Sequence, residues 1–116
     1  MIARRYFPLM ETEERLDAIF FALSDSRRRM LLAELAAGPK SVNQLVALGG
    51  MKLSATSKHI AALEVANLLY KTRNGREVYC HLNFDVWREV ANYIAMQATF
   101  WAGRLDELET HLKTHL

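Results

Sequence analysis

Between residues 52 and 77 the chain carries Lys52, Lys58, Lys71, Arg73 and Arg76 against only Glu64 and Glu77, with Ser54, Ser57 and His59 among them. Lysine and arginine neutralise phosphate oxygens, while serine, lysine and histidine can also donate to base edges. Residues 85 to 116 hold five acids against three bases, so the net charge of +2 conceals a basic block in the middle of the chain. Such a block beside an acidic remainder suits a polyanion, although solvated charged faces can look the same.

Other chemistries find less support. Glu107, His111 and His115 share a helical face at i, i+4 and i+8, a spacing that a metal can use. They sit in the last turns of the chain, where histidines also answer the helix dipole, so no metal and no cofactor is expected. A lone cysteine, Cys80, rules out an internal disulfide and a zinc site of several thiolates within one chain. Beside Val78 and Leu82 it reads as buried packing, without a resolving partner for redox sensing. There is no Gly-rich phosphate loop after a strand, no G-x-S-x-G turn and no carboxylate pair in a plausible cleft, so an enzyme is not expected.

These residues need a scaffold, and 116 residues, about half of them apolar, suffice for one domain with a real core. No apolar run approaches the roughly 20 residues of a membrane span, and the apolar part of "MIARRYFPLM" is too short for a secretory signal. The expected location is the cytoplasm, with no membrane partner.

Leu16, Ile19, Phe20 and Leu23 recur at i, i+3, i+4 and i+7, which predicts an amphipathic helix over 12–24. A second helix follows in "SDSRRRMLLAELAAGP", with Asp25 or Ser26 as N-cap and Gly38-Pro39 as its stop. Ser41 and Gln44 form an S-x-x-Q capping box that opens a short third helix, which Gly49-Gly50 ends. In "SATSKHIAALEVANL" the residues Thr56, His59, Ile60 and Leu63 fall on one face, and Ser54, Ser57, Lys58 and Ala61 fall mainly on the other. Asn67 tolerates the left-handed conformation that closes such a helix. Two short helices joined by a brief turn, over about 41–67, outline a helix-turn-helix.

Asn74-Gly75 then marks a hairpin with strands at about 69–73 and 76–82. A two-residue Asn-Gly loop sets Arg73 opposite Arg76, a repulsion that an anion such as the phosphate backbone would offset. A hairpin placed after a helix-turn-helix is a wing; two solvated arginines at a loop tip are the plainer alternative.

From Asn83 or Phe84 onward the pattern is helical for roughly 28 residues, about 42 Å. Ile94, Trp101 and Leu108 recur every seven residues, as do Ala98, Leu105 and Leu112. A stripe that long exceeds what three short helices cover, so a second copy of the chain is the expected partner; the alternative is a monomer whose first helix folds back over the stripe. The expected dimer interface is Leu16, Phe20, Ile94, Trp101, Leu105, Leu108 and Leu112. The fold is thus mainly α with a small β-hairpin: one winged helix-turn-helix domain over 1–116 with dimerisation helices at both ends.

This order of elements resembles the ArsR/SmtB family of bacterial winged-helix transcriptional repressors, over residues 13 to 112. "ALSDSRRRMLLAELAAGP" is similar to the family's D-P-T-R opening, with Ser26 and Arg27 in place of proline and threonine and Arg28 at the arginine position. "TSKHIAALEVANLL" looks like its V-S-K-H-L-x-x-L-E-x-A-G-L-V recognition helix, and "RNGREVYCHLN" like its R-x-G-R-x-V-Y-x-L wing. Lys52 stands where a hydroxyl residue usually begins the recognition helix, leaving Ser54 as a later cap, and Asn67 stands where glycine usually ends it. "FWAGRLDELETHL" looks like the ending of a branch often lacking metal ligands. Family metal sensors typically carry a C-x-C type motif in the third helix, and "SVNQLVAL" has no soft ligand.

The resemblance implies a homodimeric repressor of double-stranded operator DNA, released by a signal that the sequence does not identify, which leaves room for a small-molecule effector. Ser54, Ser57 and Lys58 are the expected groove contacts, with a phosphate contact from Lys52 and wing contacts from Arg73, Asn74 and Arg76. His59 either contacts DNA or braces the helix, and the family match favours contact. Two alternatives remain: a winged-helix module that binds an acidic protein, and a metal-responsive repressor using the C-terminal histidines.

Overall fold

The computed structural model describes residues 13–115. The stretch "MIARRYFPLM" and residue 12 of the expected first helix lie outside them. Helix α1 (Glu13–Leu23) and helix α2 (Ser26–Ala36) lead into the two-residue strand β1 (Lys40–Ser41). Helix α3 (Val42–Gly49) and helix α4 (Leu53–Val65) follow, then strands β2 (Leu69–Asn74) and β3 (Glu77–Leu82), and finally helix α5 (Phe84–His115). No described helix is long and apolar enough to cross a membrane.

The helix starts are set locally. Asp25 caps α2 by accepting from the backbone N–H of Arg27 at 2.7 Å and of Arg28 at 3.4 Å. The Arg27 side chain also donates to its carboxylate, and these bonds lower the Asp25 pKa to about 2. Ser41 and Gln44 form the expected capping box, the Gln44 N–H donating to Ser41 Oγ at 3.1 Å and the Ser41 N–H to Gln44 Oε1 at 2.8 Å. Gly50, at φ 64°, closes α3 in the left-handed conformation that a Cβ would disfavour. Its N–H donates to the Val46 carbonyl, and only three residues separate α3 from α4.

Buried side chains from every helix meet in one core: Ile19 from α1, Leu31 and Leu35 from α2, Leu45 from α3, Leu63 from α4 and Val90 from α5. Leu68 and Leu69 join it, as does Cys80, which is fully buried; burial pushes its thiol pKa up, consistent with packing. Asn67, at φ 57°, turns the chain from α4 into β2.

The sheet is antiparallel in the order β1-β3-β2, with Lys40 opposite Cys80 and Ser41 opposite Tyr79. Strand β1 was not expected, because two residues carry no readable alternation. The hairpin also differs from its expected register. Asn74 pairs with Glu77 and Arg73 with Val78, so the loop is Gly75-Arg76, not Asn74-Gly75. Gly75 sits at φ 66° while Asn74 keeps a strand conformation, the glycine-first pattern of a type II′ turn. Arg73 therefore does not face Arg76, and the expected cross-strand repulsion is absent.

Helix α5 is 32 residues long, about 48 Å at 1.5 Å per residue. It buries only Val86 and Val90. Tyr93 makes an edge-on contact with Phe20 of α1 at 6.2 Å between ring centroids. Beyond that point Ile94, Trp101, Leu105, Leu108 and Leu112 are all about half exposed or more. Helix α1 does not cover this stripe. Leu16, expected at a dimer interface, is instead 8% exposed and packs in the chain's own core, whereas Phe20 stays largely open.

Candidate nucleic-acid interface

Helix α4 is held by its apolar side. Thr56, Ile60 and Leu63 are buried, and Thr56 Oγ1 donates to the Lys52 carbonyl at 3.0 Å. Lys52 is the N-cap by backbone geometry and makes no side-chain cap bond, so Ser54 lies inside the first turn and is not the cap. With the inner face fixed, Lys52, Ser54, Ser57 and Lys58 are exposed. Short side chains at 54 and 57 leave the helix backbone accessible on its outer side, with a cation next to it at position 58.

His59 is half-buried, and it is held from the core side by Arg28. Arg28 is only 8% exposed and has no carboxylate partner among the described residues. Its Nε donates to the Ala22 carbonyl and its Nη2 to the Phe21 carbonyl, both at 2.7 Å, at the end of α1. Those carbonyls lie at the negative end of the helix dipole, which favours a cation there. The guanidinium also lies 4.8 Å from the Phe21 ring centroid. Its remaining reach goes to α4: Nη1 lies 3.3 Å from His59 Nδ1. Arginine can only donate, so Nδ1 accepts, and the neutral imidazole carries its proton on Nε2. His59 is thus braced through one nitrogen and keeps the other as a donor.

The wing reaches α4 through one face of its ribbon. Pairing puts Leu69 with Leu82, Lys71 with Cys80 and Arg73 with Val78 on the face that continues the core. Lys71 Nζ meets Glu64 Oε1 of α4 at 3.2 Å, a part-exposed pair that ties wing to helix. The other face carries the Tyr70–His81 stack at 4.8 Å, with Thr72 Oγ1 and His81 Nε2 2.8 Å apart. Tyr79 donates to Glu77 at 2.8 Å, and that bond raises the Tyr79 pKa. Glu77 is thereby engaged within the wing.

A cleft of about 320 Å³ separates the helix-turn-helix from the wing, and Asn43, Ser57, Lys71 and Arg76 all line it. Ser57 and Arg76, from different elements, thus share one surface. Arg73, Asn74 and Arg76 are exposed. Lys52, Lys58, Arg73 and Arg76 have no ion-pair partner among the described residues. Sequence reasoning did not single out Asn43, or Arg28 as a support. Asn43 is legible only as the second residue of α3, and the Arg28–His59 link spans 31 positions.

Of the C-terminal metal candidates, His111 and His115 lie with ring centroids 4.1 Å apart. Glu107 pairs with Arg104 at 3.7 Å, and His115 Nδ1 lies 2.9 Å from the His111 carbonyl. No group of three or more potential ligands forms a metal site among the described residues.

Comparison with known proteins agrees with this geometry. Residues 25–71 match the family described as bacterial regulatory protein, arsR family. A crystal structure of an ArsR family transcriptional regulator is 32% identical, with a TM-score of 0.70, over 78% of this chain and 94% of that one. An ArsR-like transcriptional regulator from Rhodococcus sp. RHA1 is 25% identical, with a TM-score of 0.75, over 87% and 93%. A homodimeric winged helix-turn-helix DNA-binding domain from Mycobacterium bovis, a possible ArsR-family regulator, is 25% identical, with a TM-score of 0.63, over 75% and 82%. No curated protein matches.

Proposed function

The chain belongs to the ArsR family of bacterial regulatory proteins, and we propose from that premise that it is a homodimeric repressor that binds a specific duplex operator. The observation that carries this reading is the shared surface of α4 and wing, where Ser57 and Arg76 line one cleft and four cations lack ion-pair partners among the described residues. An α-helix fits the major groove of B-DNA, and small outward residues allow its backbone close to base edges. Ser54 and Ser57 take that role, Lys58 reaches a guanine or phosphate, and His59 donates through Nε2. Lys52 contacts phosphate at the helix start. Arg73, Asn74 and Arg76 follow the adjacent backbone or minor groove.

Two copies pair through the open stripe of α5, with Ile94, Trp101, Leu105, Leu108 and Leu112 at its centre and Phe20 at its base. Their recognition helices then address half-sites about one helical turn, roughly 34 Å, apart. Occupying a promoter represses it, and a signal that favours another dimer geometry releases it.

Selection of bound genomic fragments, followed by footprinting and a salt titration, tests the proposal. The expected result is a two-fold symmetric footprint and an affinity that falls steeply with salt. Failure to bind duplex at low salt would refute DNA binding and favour a protein-interaction module. A response to zinc abolished by His111→Ala with His115→Ala would replace the unidentified signal with a metal.

A further inference from the structure

At the entrance to α4 two apolar residues take opposite directions. Met51, in the turn before the helix, packs against the core. Leu53, the first residue of α4, is 54% exposed and stands between the exposed Lys52 and Ser54. A single exposed leucine says little by itself; what matters is where this one stands. Leu53 and Ser57 are four residues apart, neighbours along one ridge of the helix. Ser57 lines the cleft that Arg76 of the wing also lines. The burial of Thr56, Ile60 and Leu63 fixes the rotation of α4, and Leu53 stays outside. In helix-turn-helix proteins the N-terminal residues of the second helix are the ones that meet base edges.

A leucine side chain at that place neutralises no phosphate and offers a base neither donor nor acceptor. In the major groove it has one favourable partner, the C5-methyl group of thymine. Against a polar base edge it displaces water and returns no hydrogen bond, which counts against the wrong sequence. We propose that Leu53 is a specificity residue of this protein, packing on a thymine methyl at one fixed position of each half-site. This role rests on the repressor reading and deepens it. Ser54, Ser57 and Lys58 can each bond to more than one base or to phosphate, whereas Leu53 accepts only the methyl-bearing base.

The test uses the whole protein and the operator obtained by fragment selection. Aligned fragments should hold thymine at one position of each half-site, and the absence of any such position overturns the proposal. Replacing that thymine by deoxyuridine removes only the methyl group. Wild-type affinity should then fall about fourfold for one half-site and about fifteenfold for both, as expected for one buried methyl carbon at each. Leu53→Ser changes an exposed position, so its thermal midpoint should hold, and it should bind the thymine and deoxyuridine operators equally. A wild type indifferent to deoxyuridine at every thymine overturns the contact. A Leu53→Ser protein that loses as much as wild type overturns it too, since the methyl then acts through DNA shape and not through Leu53. If the wild type binds no duplex, the repressor reading falls and the proposal with it, whereas duplex binding that ignores the methyl overturns the proposal alone.

Discussion

The winged half of the molecule and its C-terminal helix follow opposite rules. From α1 to β3, helix ends are capped, the one deeply buried cation is bonded to two carbonyls, and wing and α4 are joined by an ion pair. From Ile94 onward α5 meets none of those conditions: its large apolar residues face outward and its ion pairs are local, such as Lys113 with Glu109. One half is satisfied within the chain, and the other presents apolar surface that the described residues leave open. Stability should therefore reside in the first and association in the second, and substitutions should separate the two.

The largest expected effect comes from breaking the stripe. Leu105→Glu with Leu108→Glu puts charges where two copies would pack. Loss of the second half-site should weaken operator binding about a thousandfold, since joined sites gain roughly that much from their linkage. Sedimentation should show a monomer, and the thermal midpoint of the winged half should hardly move. If the midpoint collapses with dimerisation, the two halves are not separable and the comparison fails.

Arg28→Met attacks the satisfied half. It leaves the Ala22 and Phe21 carbonyls without their donor and frees His59. A cost of about 2–3 kcal/mol in urea unfolding is expected from the stranded acceptors. A loss below about 0.5 kcal/mol would show that water replaces the guanidinium without penalty. Operator affinity per folded molecule should also fall, because the His59 ring loses the bond that orients it.

A smaller effect should follow from Arg73→Ala with Arg76→Ala. If both reach phosphates, affinity should fall similarly on all duplexes, and the slope of log K against log salt should become shallower by about 2. An unchanged slope would remove the wing from the interface, leaving Ser57, Lys58 and the rest of α4 to act alone.

The same division explains what could be read in the chain beforehand. Signals that close within a few residues were legible: the Ser41–Gln44 box, the Asp25 cap, the left-handed Asn67 and the buried face of α4. The hairpin was legible in place but not in register, because Asn-Gly marks a turn without saying which pair is central. Here the backbone put the positive φ on Gly75 alone. Leu16 looked like an interface residue because an amphipathic pattern shows which side is apolar, not whose core receives it. The bracing of His59 by Arg28 and the pairing of β1 with β3 join residues about 30 to 40 positions apart, and no local pattern encodes them.

The smallest expected effect tests a local signal directly. Because its bonds to Arg27 and the helix start hold the Asp25 pKa at about 2, below the ordinary value near 3.9, folding favours the ionised carboxylate. The sign follows: its contribution is fully present above about pH 4 and is lost as pH falls through about 2. The thermal midpoints of wild type and Asp25→Ala should therefore differ at pH 5 and 6 and converge only as pH falls below about 2. Adding salt should shrink the gap only modestly, since the backbone hydrogen bonds at the cap do not depend on long-range charge. An undiminished gap well below pH 2 would show that Asp25 caps α2 as well protonated as ionised. The charge would then contribute nothing to the start of the helix that presents Arg28.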